Sequence, residues 1–192
     1  MSVEQAVPEG VALVLRRRSI RCHQERPVPR EMFELLLRAA MAAPTACNSQ
    51  PWEFVVITEP ETLARLREKL VFARYNAPAA IAVLGNPGIG HSSAAKHYWL
   101  QDCCAAMENI LIAATGLGSV WIGVHPHPSH EASVRAILQA PDSVIPLGLA
   151  YVGYPAEAKT PSARYDASRV YWEHYEPRKR RAKLKNAKHK GD

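Results

Sequence analysis

Pro44-Thr45-Ala46-Cys47-Asn48-Ser49-Gln50-Pro51-Trp52 is the stretch on which the fold turns. Two prolines among small polar residues cannot continue a helix, and the run Trp52-Glu53-Phe54-Val55-Val56-Ile57-Thr58 beyond them is rich in β-formers. Upstream, Pro27-Val28-Pro29 breaks the chain before residues 30–43, where Met32, Leu35, Leu36 and Ala39 keep helical spacing. The opening segment up to Arg18 is apolar-periodic as well. The order is therefore helix, loop, helix, polar loop, strand.

Past Thr58 the pattern continues to mix helix and strand. Thr58 is placed to cap a helix whose first turn holds Pro60 and Glu61, in the manner of a capping box, with an end near Val71. Residues 79–84 form a short apolar run closed by Gly85-Asn86-Pro87-Gly88, which suits a buried central strand. Residues 93–115 read as one helix with apolar side chains on nearly every side. Such a helix is covered all round, by its own core and by a partner. Residues 120–124 and 147–154 read as further strands, with a short helix over 131–138 between them. Helices packed on a sheet follow from this mixture, with no internal repeat.

The 192 residues suit one domain with a full core. Hydrophobic residues make up 47% and charged residues 22%, which excludes a disordered or fibrous chain. The apolar stretch at 103–117 contains Glu108 and Asn109 and is too short to span a bilayer. Residues 1–10 carry Glu4 and Glu9 and lack a secretory pattern, so the expected location is cytoplasmic. Residues 178–190 are strongly basic without an acid, and the rest of the chain is near neutral. The tail lacks aromatics to stack on bases, so a solvated, disordered extension is expected rather than a nucleic-acid contact.

Cys22, Cys47, Cys103 and Cys104 have no metal-ligand spacing and read as reduced, buried thiols. His125-Pro126-His127-Pro128-Ser129-His130 reads as a surface loop, because prolines separate the histidines and no acidic or thiol partner is evident. Gly85-Asn86-Pro87-Gly88-Ile89-Gly90 lacks dinucleotide-fingerprint spacing. Arg16-Arg17-Arg18-Ser19-Ile20-Arg21 can converge guanidinium groups and a hydroxyl on one anion, although alone it also fits a solvated basic face. The amides of Asn48 and Gln50 offer paired donors and acceptors that match the imide edge of a flavin, although a capped polar turn explains them equally.

Together these two segments resemble the nitroreductase family of flavoproteins. Its Arg-x-Ser-x-Arg/Lys pattern is matched by Arg17, Ser19 and Arg21, with Arg18 between them. Its Pro-Ser/Thr-x-x-Asn-x-Gln-Pro-Trp loop is matched by Pro44, Thr45, Asn48, Gln50, Pro51 and Trp52, with Ala46 inside it. The resemblance continues through the long helix from Gln101-Asp102 to Gly118, through Trp121-Ile122-Gly123, and into Tyr151-Val152-Gly153-Tyr154-Pro155 and Arg164-Tyr165-Asp166, and covers residues 11–175.

It implies an α+β fold, a three-layer α/β/α sandwich, in an intertwined homodimer with FMN at the subunit interface. Residues 1–177 would form the single FMN-binding domain and 178–192 the tail. By the resemblance Arg17 and Ser19 anchor the phosphate or ribityl chain, and Arg21 faces the ring. The Asn48-Gln50 loop comes from the other subunit, and the backbone at Ile122 and Gly123 faces flavin N5. Arg164 is the candidate for a further phosphate contact, with Lys159 as an alternative, since relatives often carry an arginine where this chain has Ser162. No side chain is required as a catalyst and no metal is expected.

The implied activity is ping-pong transfer of hydride from NADH or NADPH through FMN to a flat acceptor, a nitroaromatic or a quinone. A specialised flavin reductase or dehalogenase on the same fold stays open, as does a non-enzymatic flavin-binding module whose tail contacts nucleic acid.

Overall fold

The computed structural model describes residues 7–160 and 164–175. One sheet contains β1 (Trp52–Ile57), β2 (Ala79–Gly85), β3 (Gly118–Gly123) and β4 (Ile145–Gly153), in the order β1-β2-β4-β3 with every pair antiparallel. The interior position expected for residues 79–84 is the one observed, and every residue of β2 is buried. An antiparallel strand reaches that state only when helices cover both faces of its sheet.

Side chains alternate across the strands, so each face has its own core. On one face Ala79, Ile81, Val83, Ala150 and Val152 meet α2 (Arg30–Met41) and α5 (Trp99–Ala113), which contribute Phe33, Leu36, Cys103, Met107 and Ile110. On the other, Ala80, Ala82, Val120, Ile122, Leu149 and Tyr151 meet α3 (Pro60–Lys69) and α6 (Pro128–Leu138) through Leu63, Leu66, Val134 and Ile137. This is the three-layer sandwich that the resemblance implies. α1 (Glu9–Arg16) stands apart from both cores, with no buried residue and with Val11, Val14 and Leu15 exposed.

A bulge at Leu147 sets where β3 ends. Val83 faces Gly148 and Leu84 faces Pro146, so Leu147 has no partner on β2. Its carbonyl accepts instead from the amides of Val124 and His125, both at 3.1 Å.

Several local expectations change. Thr58 does not cap α3: Glu59 occupies the cap position, its side chain makes no cap hydrogen bond, and the capping box does not form. The helix stops at Lys69 because Leu70, fully buried, leaves helical geometry (φ −104°, ψ 69°) before a 3-10 turn over Val71–Ala73. The helix expected over 93–115 is broken at Tyr98 into α4 (Ser93–His97) and α5. Within the single chain α5 is covered by its own core and leaves Gln101 and Ala113 exposed and Cys104, Ala105 and Ile112 half-buried. α6 begins at Pro128, one turn earlier than expected, so His130 stands on a helix and not in a loop.

The chain resolves into two units, Met1–Pro161 and Ser162–Asp192. In the second, the Asp166 side chain accepts from the Ser168 amide at 3.1 Å to open a 3-10 turn, Ala167–Arg169, and the rings of Tyr171 and Tyr175 lie 4.5 Å apart. The basic tail at 178–192 lies outside the described residues. Among the described residues no helix is long and apolar enough to cross a membrane.

A Cβ at Gly85 would fall inside the Trp99 ring. Overpacking of this kind costs about 1–3 kcal/mol. Gly85→Ala is therefore expected to lower the thermal midpoint, and the double variant with Trp99→Leu to be less destabilised than the two single effects summed. Strict additivity in that cycle would show that the indole is not the obstacle.

Candidate functional site

Beyond α1 the chain turns extended at Arg17 (φ −57°, ψ 131°) and runs as a strip against the edge strand β3 and the end of β4. Ser19 bridges Ser119, the Ile20 amide donates to the Ser119 carbonyl at 2.9 Å, and His23 bridges Pro155. The strip collects the basic residues. Arg17 pairs with Glu108 of α5 at 3.4 Å. Arg18 donates to the carbonyls of Leu15 (2.8 Å) and Thr160 (3.2 Å). Lys159 donates to the Ser19 carbonyl at 2.9 Å and pairs with Glu157 at 3.1 Å. A hydrogen bond from the Arg21 amide holds the Glu157 carboxyl below the usual carboxylate range, with help from the Lys159 side chain and the Cys22 amide. The Arg21 guanidinium lies 5.7 Å from the ring centre of Tyr75, which packs against the α3/α6 core. Beside the strip Arg16, Arg18, Thr115, Glu157 and Lys159 line a cavity of about 140 Å³.

The rest of the β3 edge is open. Because the Ser119 carbonyl turns away from β4 to meet Ile20, the two-residue period turns the backbone groups of Trp121 and Gly123 the same way. Ile122 faces the opposite way: its backbone turns to β4 and its side chain is buried in the α3/α6 core. Gly123 thus presents its amide to the open edge, and nothing lies within 4 Å of where a Cβ would stand. Gly123 lies four residue steps along the strand from Ser119, a span of about 13 Å.

The loop at 44–51 leads to the other edge of the sheet. It is joined to β1, three strand spacings or about 14 Å across the sheet from β3. Cys47, Asn48 and Gln50 all adopt left-handed φ (54°, 53° and 48°), which non-glycine residues hold only when the surroundings enforce it. The Gln50 amide donates to Thr45 Oγ1 at 3.2 Å, and Gln50 Nε2 donates to Asn48 Oδ1 at 2.9 Å. Below them, Asp102 of α5 accepts from the Ala46 amide at 3.0 Å and from Ser49 Oγ at 3.4 Å. Sequence reasoning placed Asp102 on the helix of the resemblance but gave it no role. The available signal was a lone carboxylate on a helix face otherwise made of Cys103, Ala106, Met107 and Ile110.

The chain therefore gathers Arg17, Arg18, Ser19, Arg21 and Lys159 on one strip with Gly123 farther along the same edge. It sets Pro44, Thr45, Ala46, Asn48 and Gln50 apart from them. Arg164 belongs to the second unit. Cys22 and Cys47 are exposed, against the expectation of buried thiols, whereas burial pushes the Cys103 thiol up to about 12. His125 has the acidic partner that the sequence did not reveal, Glu131 at 2.9 Å, brought close by the first turn of α6. Among the described residues no group of side chains could hold a metal ion.

The chain belongs to the Nitroreductase family, whose model matches residues 14–73 and 69–154. A relative from Archaeoglobus fulgidus, provisionally named NADH dehydrogenase/NAD(P)H nitroreductase, is 39% identical over 79% of this chain and 88% of its own. A solved structure from Parabacteroides distasonis with the same provisional name is 36% identical and superposes with a TM-score of 0.82, over 88% of this chain and all of its own. An FMN-dependent nitroreductase from Clostridium difficile is 26% identical with a TM-score of 0.77, over 85% and 98% of the two chains. An iodotyrosine deiodinase from Haliscomenobacter hydrossis is 29% identical over 73% and 77%. The family and these names indicate an oxidoreductase.

The strip is anchored at His23, which is 2% exposed. Its backbone exchanges two hydrogen bonds with the Asn76 side chain (2.9 and 2.7 Å), while among the described residues the ring nitrogens have only the backbone groups of Gly153 and Ile20 beside them, without a well-formed hydrogen bond. Burial lowers its pKa from 6.5, opposed only in part by backbone groups of Gly153 and Ile20 and by Glu157. As pH falls below 6.5 the unfolded chain takes up a proton that the folded ring resists, so stability drops toward acid. His23→Leu should be relatively more stable at about pH 5 than at about pH 7.5 when compared with the parent by denaturant unfolding. An offset equal at both pH values would remove His23 as the source.

Proposed function

We propose that this chain is an FMN-dependent oxidoreductase that takes hydride from NADH or NADPH and delivers it to a flat electron acceptor, a nitroaromatic or a quinone. The observation that carries the reading is the β3 edge, with basic side chains at one end and the outward-turned Gly123 amide about 13 Å along it. That span suits a phosphate at one end and a planar ring at the other. When bound, FMN supplies the ring that accepts and returns hydride, with one shared site serving reductant and acceptor in turn.

The protein's part is binding and electrostatics. Arg17 and Ser19 hold the phosphate or ribityl chain, and Arg21 offers positive charge to the pyrimidine edge. Arg164 or Lys159 completes the phosphate contacts. The Gly123 amide donates to the ring, and Ile122 fixes the strand through its buried side chain. Asn48 and Gln50, presented on the loop with Pro44, Thr45 and Ala46, supply amides for the imide edge of a cofactor held by the other subunit. The distance between loop and strip within one chain supports this division. So do the exposed apolar side chains of α1 and the outer edge of β1, unpaired among the described residues, which a homodimer would cover. The reading includes a cytoplasmic setting, residues 1–177 as the FMN-binding domain, and no nucleic-acid partner.

Purified protein mixed with FMN should retain flavin absorbance that bleaches on anaerobic addition of NADH or NADPH and returns with a quinone. Failure to retain FMN would overturn the reading. Arg17→Ala is expected to weaken FMN binding by about 10–100-fold in a fluorescence titration, the worth of one charged hydrogen-bonding group. Glu108→Gln, which removes only the protein partner of Arg17, should leave binding unchanged or tighter.

A further inference from the structure

The loop at 44–51 holds three non-glycine residues in left-handed backbone, a conformation asparagine tolerates but cysteine and glutamine disfavour. A polar loop left to itself would relax. Besides the hydrogen bonds within the loop, one carboxylate ties it to the core. Asp102 is 5% exposed and sits in the first turn of α5; its two oxygens reach opposite ends of the 3-10 turn Ala46–Asn48, one to the Ala46 amide and one to the Ser49 hydroxyl. Ser49 is itself buried, at 4% exposure. No lysine or arginine pairs with Asp102 among the described residues, so these donors and the positive end of α5 are what compensate its charge. Asn48 and Gln50, by contrast, are exposed and hydrogen-bonded to each other.

We infer that Asp102 is a positioning residue: by clamping Ala46 and Ser49 it holds the strained turn that aims the Asn48 and Gln50 amides at the cofactor. The inference rests on the proposed FMN site for its functional consequence, and on the loop geometry for its structural one. It assigns Asp102 no contact with cofactor or substrate. A carboxylate is required because one side chain must accept from two separated donors, and the asparagine amide keeps only one acceptor oxygen.

The test compares the parent with Asp102→Asn, Ser49→Ala and the double variant, using amide hydrogen exchange and FMN titration. Exchange in the absence of FMN is expected to accelerate at residues 45–50 in Asp102→Asn while β2 and β4 keep their protection. FMN affinity should fall by about tenfold, the cost of stranding one buried partner. Ser49→Ala should show the same pattern more weakly, and the double variant should fall short of the sum. Unchanged loop exchange in both single variants would overturn the inference. If Asp102→Asn loosens the core strands as well, Ser49→Ala decides: loop-only acceleration supports the clamp and an unchanged loop refutes it. A parent that binds no FMN refutes the proposed function, and the exchange data still decide whether Asp102 clamps the loop.

Discussion

β2 has no solvent face, and the rest of the molecule is arranged around that fact. Its side chains at 79, 80 and 82 are alanines, small enough for helices to settle closely on both sides, while Ile81 and Val83 fill the α5 layer. Burying a backbone strand so completely requires every amide and carbonyl to be paired, which β1 and β4 supply on its two edges. Once both interior positions are occupied, β1 and β3 are forced outward as edge strands. The open edge of β3, where the basic strip docks and Gly123 faces outward, is thus a by-product of how the core closes.

The site lives where the regular pattern ends. The bulge at Leu147 stops β3 just past Gly123, and the strip leaves β3 after a single bridge at Ser19. Short pairing leaves backbone groups free, and free groups on an edge are either a liability for aggregation or a binding surface. Here several guanidinium and ammonium groups stand beside them, with Glu157 and Glu108 keeping the cations in place.

Much of this was legible in the residues. Helical spacing located α2, the β-rich run after Pro51 located β1, and the apolar stretch at 79–84 located an interior strand, because each is a matter of period and length. Cap positions were not legible: Thr58 and Glu59 are both plausible there, and the choice depends on where Leu63 and Leu66 must point into the core. The break at Tyr98 was hidden as well, since nothing in the composition of 93–115 distinguishes one helix from two. The binding segments Arg17–Arg21 and Pro44–Trp52 were visible as motifs. Asp102 was not, because a carboxylate on an apolar helix gains its meaning only from a loop more than fifty residues earlier.

Asp102 and Glu108 lie on the same helix, about 9 Å apart along its axis. One grips the loop and the other grips Arg17. In a dimer where loop and strip serve different cofactors, α5 is a rigid rod with a hand on each of two bowls. Under the proposed arrangement the register of this one helix along the sheet would set the loop of one bowl and the strip of the other together, so that neither could be repositioned alone.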